Sequence, residues 1–165
     1  MKTLFLVRHA KSSWQHPDLT DRDRPLNPRG LRDAPRMGKR LALRDDLPEL
    51  IVSSPANRAL TTAGILAAEL GYDTDRIIVN EDIYGAGPEE LMDIISDFPD
   101  RCERVMLIGH NPTLTELVNQ LTDSTIVNIP TCGIAVINFA TTTWAAAEKR
   151  KWRLLEFDYP KRIAE

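Results

Sequence analysis

Apolar positions along this chain fall into two patterns that alternate. Short unbroken apolar or β-branched runs occur at residues 3–7 (TLFLV), 50–53 (LIVS), 77–79 (IIV) and 105–108 (VMLI). Runs of this length bounded by polar residues predict strands covered on both faces. The stretches between them carry a helical period instead. From Gly30 to Arg44 the apolar and small residues Leu31, Ala34, Met37, Gly38, Leu41 and Ala42 recur every three or four places. Pro28 precedes them where a first helical turn tolerates proline, whereas Pro35, inside the pattern, is expected to kink or delay the helix. Residues 56–70 are rich in Ala and Leu and end at Gly71, the position of a helix stop. Residues 88–98 place Leu91, Ile94, Ile95 and Phe98 on one helical face, and residues 112–121 follow the fourth run as its helix.

The tail differs. Residues 133–139 and 152–157 are strand-like with no clear helix between them, and residues 141–150 read equally as a turn or a short helix. A strand–helix alternation closed by such a pair predicts a three-layer α/β/α fold. Its central sheet is mostly parallel, with an antiparallel edge at the C-terminal end. Residues 11–27, rich in Ser, Asp, Arg and Pro, form a long loop with Trp14 as its one large apolar anchor. Loops of that length inside a compact domain are usually functional or disordered. There is no repeat, low-complexity stretch or linker, so residues 1–165 are expected to form one domain.

Composition narrows the function. A 165-residue chain with 42% hydrophobic and 27% charged residues can bury a core of its own. A net charge of -3 argues against nucleic acid as a partner. No apolar run is long enough to span a bilayer, and the N-terminus lacks a signal-peptide pattern, so the expected location is the cytoplasm and no membrane partner is expected. The two cysteines, Cys102 and Cys132, form no CxxC pair and read as free thiols.

The chemistry is at the strand ends. The first run passes directly into Arg8 and His9, and the fourth into Gly109 and His110. In an open α/β sheet ligands bind at the carboxyl ends of the strands, so two of the chain's three histidines are delivered to one edge. Arg58 falls in the first turn of the helix after the second run, at the same edge. Two guanidiniums and two imidazoles make an anion site suited to a tetrahedral oxyanion, and helix starts after Pro55 and Pro112 would aim N–H groups at it. An imidazole in such a cage can take a phosphoryl group covalently, with the other cations stabilising the equatorial oxygens. Arginines then supply the positive charge a metal would otherwise provide. His16 reads as a solvent-exposed loop histidine, and the histidines show no metal spacing. Asn27 either lines the pocket or caps the helix that Pro28 begins.

These segments resemble the histidine phosphatase (phosphoglycerate mutase-like) superfamily. Leu6-Val7-Arg8-His9-Ala10 is similar to its RHG strand end, residues 53–63 (SSPANRALTTA) to its SSPxxRAxxTA segment, and Ile108-Gly109-His110-Asn111-Pro112 to its second-histidine motif. The resemblance implies His9 as nucleophile, with Arg8, Arg58 and His110 holding the phosphoryl group and Asn111 beside them, and no cofactor. Ala10 departs from the family's glycine. The short length, with little room for a lid insertion, and residues 21–30 (DRDRPLNPRG) resemble the small SixA-type phosphohistidine phosphatases. The implied substrate is phosphohistidine on a protein, or else a small phosphate ester; a phosphate-binding module without turnover is the alternative of another class. Residues 80–85 (NEDIYG) resemble the stretch that supplies the mutases' general acid, which makes Glu81 a candidate, with Asp18 as rival and no acid at all as a third option.

Overall fold

A computed structural model describes residues 1–162. Its strands are β1 (Lys2–Arg8), β2 (Leu50–Ser53), β3 (Ile78–Val79), β4 (Arg104–Gly109), β5 (Ile134–Phe139) and β6 (Arg153–Asp158). The helices are α1 (Pro28–Ala42), α2 (Asn57–Leu70), α3 (Pro88–Ser96) and α4 (Thr113–Thr122). One six-stranded sheet runs in the order β3-β2-β4-β1-β5-β6. The first four are parallel, β5 is antiparallel to β1, and β6 is antiparallel to β5.

Side-chain alternation divides the core into two layers. Leu4, Leu6, Val105 and Leu107 point to the face covered by α3 and α4, where they join Leu91, Ile95, Leu117 and Val118. Phe5, Val7, Met106 and Ile108 point to the face covered by α1 and α2, against Met37, Leu41, Ala63 and Leu66. The two central strands are buried at every position but Arg8 and Arg104 because both faces are covered, which is why Leu4–Val7 and Val105–Ile108 run apolar without a break.

Several expectations need correction. Helix α1 starts at Pro28 and continues through Pro35, so that proline does not delay it. The carbonyl deprived of its partner belongs to Leu31, a residue about half exposed where water can serve it. The 77–79 run shortens to the two residues of β3 at the sheet edge, and Ile78 and Val79 are half exposed rather than covered. The ambiguous 141–150 stretch contains a 3-10 helix, Trp144–Lys149. It forms because Trp144 is drawn into the core, its indole N–H donating to Cys102 O at 2.8 Å. Helix α2 ends as its sequence predicts, at Gly71 in the left-handed region (φ 71°). No described helix is long and apolar enough to cross a membrane.

Candidate active site

The strand register brings the motif residues to one edge. Arg8 is opposite Gly109 in the β1–β4 ladder, and Ser53 opposite Ile108 in the β2–β4 ladder. His9, His110 and Ser54 therefore leave the sheet side by side, and α2 sets Arg58 over them one turn later. Arg8, His9, Arg58 and His110 line a cavity of about 470 Å³ whose rim includes Trp14, Asp21 and Tyr84, while Ser54 stays buried beneath it. The His9 and His110 rings are 5.2 Å apart between centroids.

His9 is oriented by its own backbone. Its Nδ1 is 2.8 Å from Ala10 O, and a carbonyl only accepts, so Nδ1 carries a proton. Burial foremost, then the charges of His110, Arg58 and Arg8, push its pKa down to about 3 against the raising effect of that hydrogen bond. The ring is thus neutral at physiological pH, with the lone pair on Nε2. The strand end is fixed around it. The His9 N–H donates to Gly109 O (3.2 Å), and the Ala10 N–H donates to Thr62 Oγ1 (2.9 Å), whose hydroxyl donates to Arg58 O (2.7 Å). Ala10 is fully buried among the α1/α2-side core residues and has no positive φ. Its methyl group therefore packs inward, and the backbone has no need of glycine there.

His110 is tied through Nε2 to Ser54 Oγ at 2.7 Å, and burial, followed by Arg58, lowers its pKa to about 4. Arg8 donates from Nη1 to Ile129 O (2.9 Å), and Arg58 from Nη1 and Nη2 to Asp21 O (2.7 Å) and Oδ2 (3.1 Å). The Nε of each arginine is buried without a partner. Such donors are costly to leave unmatched, and an oxyanion is the acceptor they suit.

Asn111 faces the cavity but its amide is committed. Nδ2 donates to Asn128 Oδ1 and Ile129 O, both at 2.9 Å, and Oδ1 accepts from Thr115 N and Oγ1. It shares the Ile129 carbonyl with Arg8, so it positions that arginine. The N–H groups of Leu114 and Thr115, at the start of α4, are spent on His110 O and Asn111 Oδ1 and are not turned on the pocket. Asn27 lies outside the cavity, and its Oδ1 accepts from Gly30 N (2.9 Å) as the cap of α1.

Glu81 also lies outside. It pairs with Arg22 at 2.8 Å, is well exposed, and faces an adjoining cavity of about 650 Å³ that shares Tyr84 and Gly85 with the first. Asp18 and His16 are exposed in the loop and away from the cavity. Among the described residues no group of three His, Cys, Asp or Glu side chains is placed to hold a metal ion. Cys132 is fully buried, and burial pushes its thiol pKa up to about 12, which makes it unreactive. Its backbone matters more. At φ 61° it donates one N–H to both Arg8 O and His9 O at 3.0 Å, a strained conformation that locks the strand end.

Sequence reasoning overlooked Asp21 and Tyr84 as pocket groups. Asp21 Oδ2 accepts from Tyr84 Oη at 2.6 Å and from Arg58, and Oδ1 accepts from Arg24 Nε at 3.1 Å. The Tyr84 hydroxyl, then the Arg58 and Arg24 contacts, hold the carboxyl down at about 2 despite partial burial. The only signal for Asp21 was its place in the Arg- and Asp-rich DRDRPL run. Trp14 is not the buried anchor its apolarity suggested: it is 73% exposed, one face against Arg24.

A neutral histidine flanked by a half-buried and a buried guanidinium at the carboxyl edge of a doubly covered sheet makes a cage suited to a tetrahedral oxyanion. The family model of the histidine phosphatase superfamily (branch 1) matches residues 4–83. An uncharacterised protein of Mycobacterium tuberculosis is 34% identical, covering 94% of this chain and all of that one. A chloroplastic protein of Arabidopsis thaliana, also uncharacterised, is 32% identical over 88% of this chain and 70% of its own length. Among solved structures, an Agrobacterium tumefaciens protein described provisionally as the phosphohistidine phosphatase SixA superposes with TM-score 0.82. It is 30% identical, with 96% and 98% of the two chains covered. The protein histidine phosphatase SixA with tungstate matches the fold at TM-score 0.77 and 19% identity, over 96% of this chain and 97% of that one. The chain belongs to the histidine phosphatase superfamily, in its small SixA-type branch, and family and neighbours support a phosphatase.

Proposed function

We propose that the protein is a metal-independent phosphatase that forms a phosphohistidine on His9 and takes phosphohistidine on a protein as substrate. The observation that carries this reading is the state of His9: neutral, with Nδ1–H held by Ala10 O, and Nε2 free beside two guanidiniums with unmatched buried donors. In the first step Nε2 attacks phosphorus, the bond to the leaving group breaks, and the electron pair departs with that group. Arg8 and Arg58 bind the equatorial oxygens, and His110 is the fourth group on the phosphoryl. The Ala10 carbonyl then accepts from a ring that has become cationic, which stabilises the phosphoenzyme. Water attacks phosphorus in the second step, the P–N bond breaks, and the pair returns to Nε2.

The substrate assignment is supported by the lack, among the described residues lining the pocket, of a protonated carboxylic acid to serve a leaving group. Glu81 is turned away to Arg22, and Asp21 is held ionised. An alkoxide leaving group needs a proton, whereas a protonated phosphoimidazole brings its own. The open rim also admits a protein side chain. Release of phosphate from a phosphohistidine protein and from an aryl phosphate, side by side with chelator present, tests the proposal. Release that persists with chelator, disappears in His9→Ala and favours the phosphoprotein is expected. Preference for the ester moves the substrate to small phosphates, and phosphate binding without release makes the protein a docking module.

A further inference from the structure

The rim of the phosphate pocket is built by the 11–27 loop, and its construction is specific. The loop is closed at its base by the Ser12–Leu26 bridge and by Ser13 N–H to Pro25 O (2.8 Å) and Asn27 N–H to Lys11 O (2.9 Å). Arg24 is buried as its hub, donating from Nη1 to Ser12 Oγ (2.8 Å) and from Nε to Asp21 Oδ1 (3.1 Å). Its guanidinium carbon lies 3.5 Å from the centre of the Trp14 ring. Arg24 therefore holds two side chains at the mouth: an indole with one face open to solvent and a half-exposed carboxylate.

Neither suits the phosphoryl group. A carboxylate on the wall of an anion pocket repels phosphate, and a large exposed aromatic gains nothing from an oxyanion. Both suit the ring that carries the phosphoryl group before it departs. We infer that Trp14 and Asp21 form a leaving-group subsite for a planar cation, the protonated imidazole of phosphohistidine. The inference rests on the function proposed above. In that substrate phosphorus is on one ring nitrogen and a proton on the other. When His9 Nε2 forms its bond to phosphorus, the substrate P–N bond breaks and its electron pair returns to the ring nitrogen. The proton stays on the second nitrogen, so imidazole leaves neutral with no proton moved. Trp14 stacks on the ring, and Asp21 accepts its N–H and favours the cationic form whose bond breaks in this way.

Three small substrates separate the two contributions: phosphoimidazole (planar, cationic), the phosphoramidate ion (cationic at nitrogen, not planar) and an aryl phosphate (planar, uncharged ring). Asp21→Asn is expected to lower kcat/KM for both N–P substrates about tenfold relative to the aryl ester, the range of a charge-assisted hydrogen bond. Trp14→Ala is expected to lower it for the two planar substrates about fivefold relative to phosphoramidate, and Trp14→Phe to retain most of that preference. Equal losses on all three substrates would overturn the inference, leaving Asp21 and Trp14 as supports of Arg58 and of the loop. Wild-type turnover that survives His9→Ala, or that prefers the ester, would defeat the proposed function itself. A wild-type N–P preference with unchanged ratios in the variants defeats only the subsite.

Discussion

Burial sets the protonation of the two histidines before any substrate arrives, and that has a kinetic signature. With His9 lowered to about 3 and His110 to about 4, both are neutral well below pH 7. The pH profile of kcat/KM, corrected for the ionisation of the substrate, should therefore show no acid limb between pH 5 and 7. A limb near 6.5 would mean that one imidazole titrates as an ordinary histidine. Arg58 engages Asp21 with both terminal nitrogens while its Nε stays in reserve. Lysine can reproduce the charge but not the fork, so Arg58→Lys should cost about 10²-fold in kcat/KM. Glu81→Gln should leave kcat within about twofold, since its carboxylate is spent on an exposed pair with Arg22. A loss of 10²-fold or more would make it the general acid. At this scale Arg8, His9, Arg58 and His110 were legible because each lies within three residues of a readable boundary. Asp21 and Tyr84 were not, since they meet only through contacts 63 residues apart in the chain.

Among the elements, the join of α1 to the first loop is the tightest point. A Cβ on Gly30 would lie 2.3 Å from Lys11 O, backbone against backbone, and that same carbonyl accepts from Asn27 N–H. Gly30→Ala thus gains about 1 kcal/mol of helix propensity but forces the loop or the helix to move, an overpacking cost of about 1–3 kcal/mol. Net destabilisation by chemical denaturation, together with reduced turnover because Lys11 lines the pocket, is the expected result. Thr62→Val removes the acceptor for the Ala10 N–H in a fully buried place. A stability loss of about 1–3 kcal/mol is expected, accompanied by a drop in kcat as the His9 strand end loosens. The helices were readable from their period and stops. The misplaced features, β3 and Trp14, share a cause: hydrophobicity predicts that a residue would benefit from cover, but position in the sheet decides whether cover exists.

For the whole molecule, the site trades stability for reactivity. A histidine whose folded pKa lies below its unfolded value of about 6.5 takes up protons on unfolding. The stabilisation from keeping His9 and His110 neutral is therefore complete above that value. It is lost as pH falls toward about 4 for His110 and about 3 for His9. Asp21, lowered from 3.8 to about 2, adds to the same trend below pH 4. Unfolding free energy should decline from pH 7 to pH 4, and His9→Gln should flatten that decline. Bound phosphate, which binds only the folded chain, should raise the midpoint at every pH at which it binds.

By itself the sequence determined the layers and the motif positions, because short unbroken apolar runs, a period of about 3.6 residues and the Pro and Gly stops are local properties of a chain. It determined too that two histidines and two arginines meet, since strand ends in a parallel sheet share one edge. Only the tertiary structure decided which neighbours those groups have. The β1–β4–β2 register put Ser54 against His110, the 128–132 loop gave Arg8 its carbonyl, and Arg24 turned a tryptophan outward and a carboxylate onto the rim. Those are contacts between distant residues, fixed by packing and by the need to pair buried polar groups, and no local pattern encodes them.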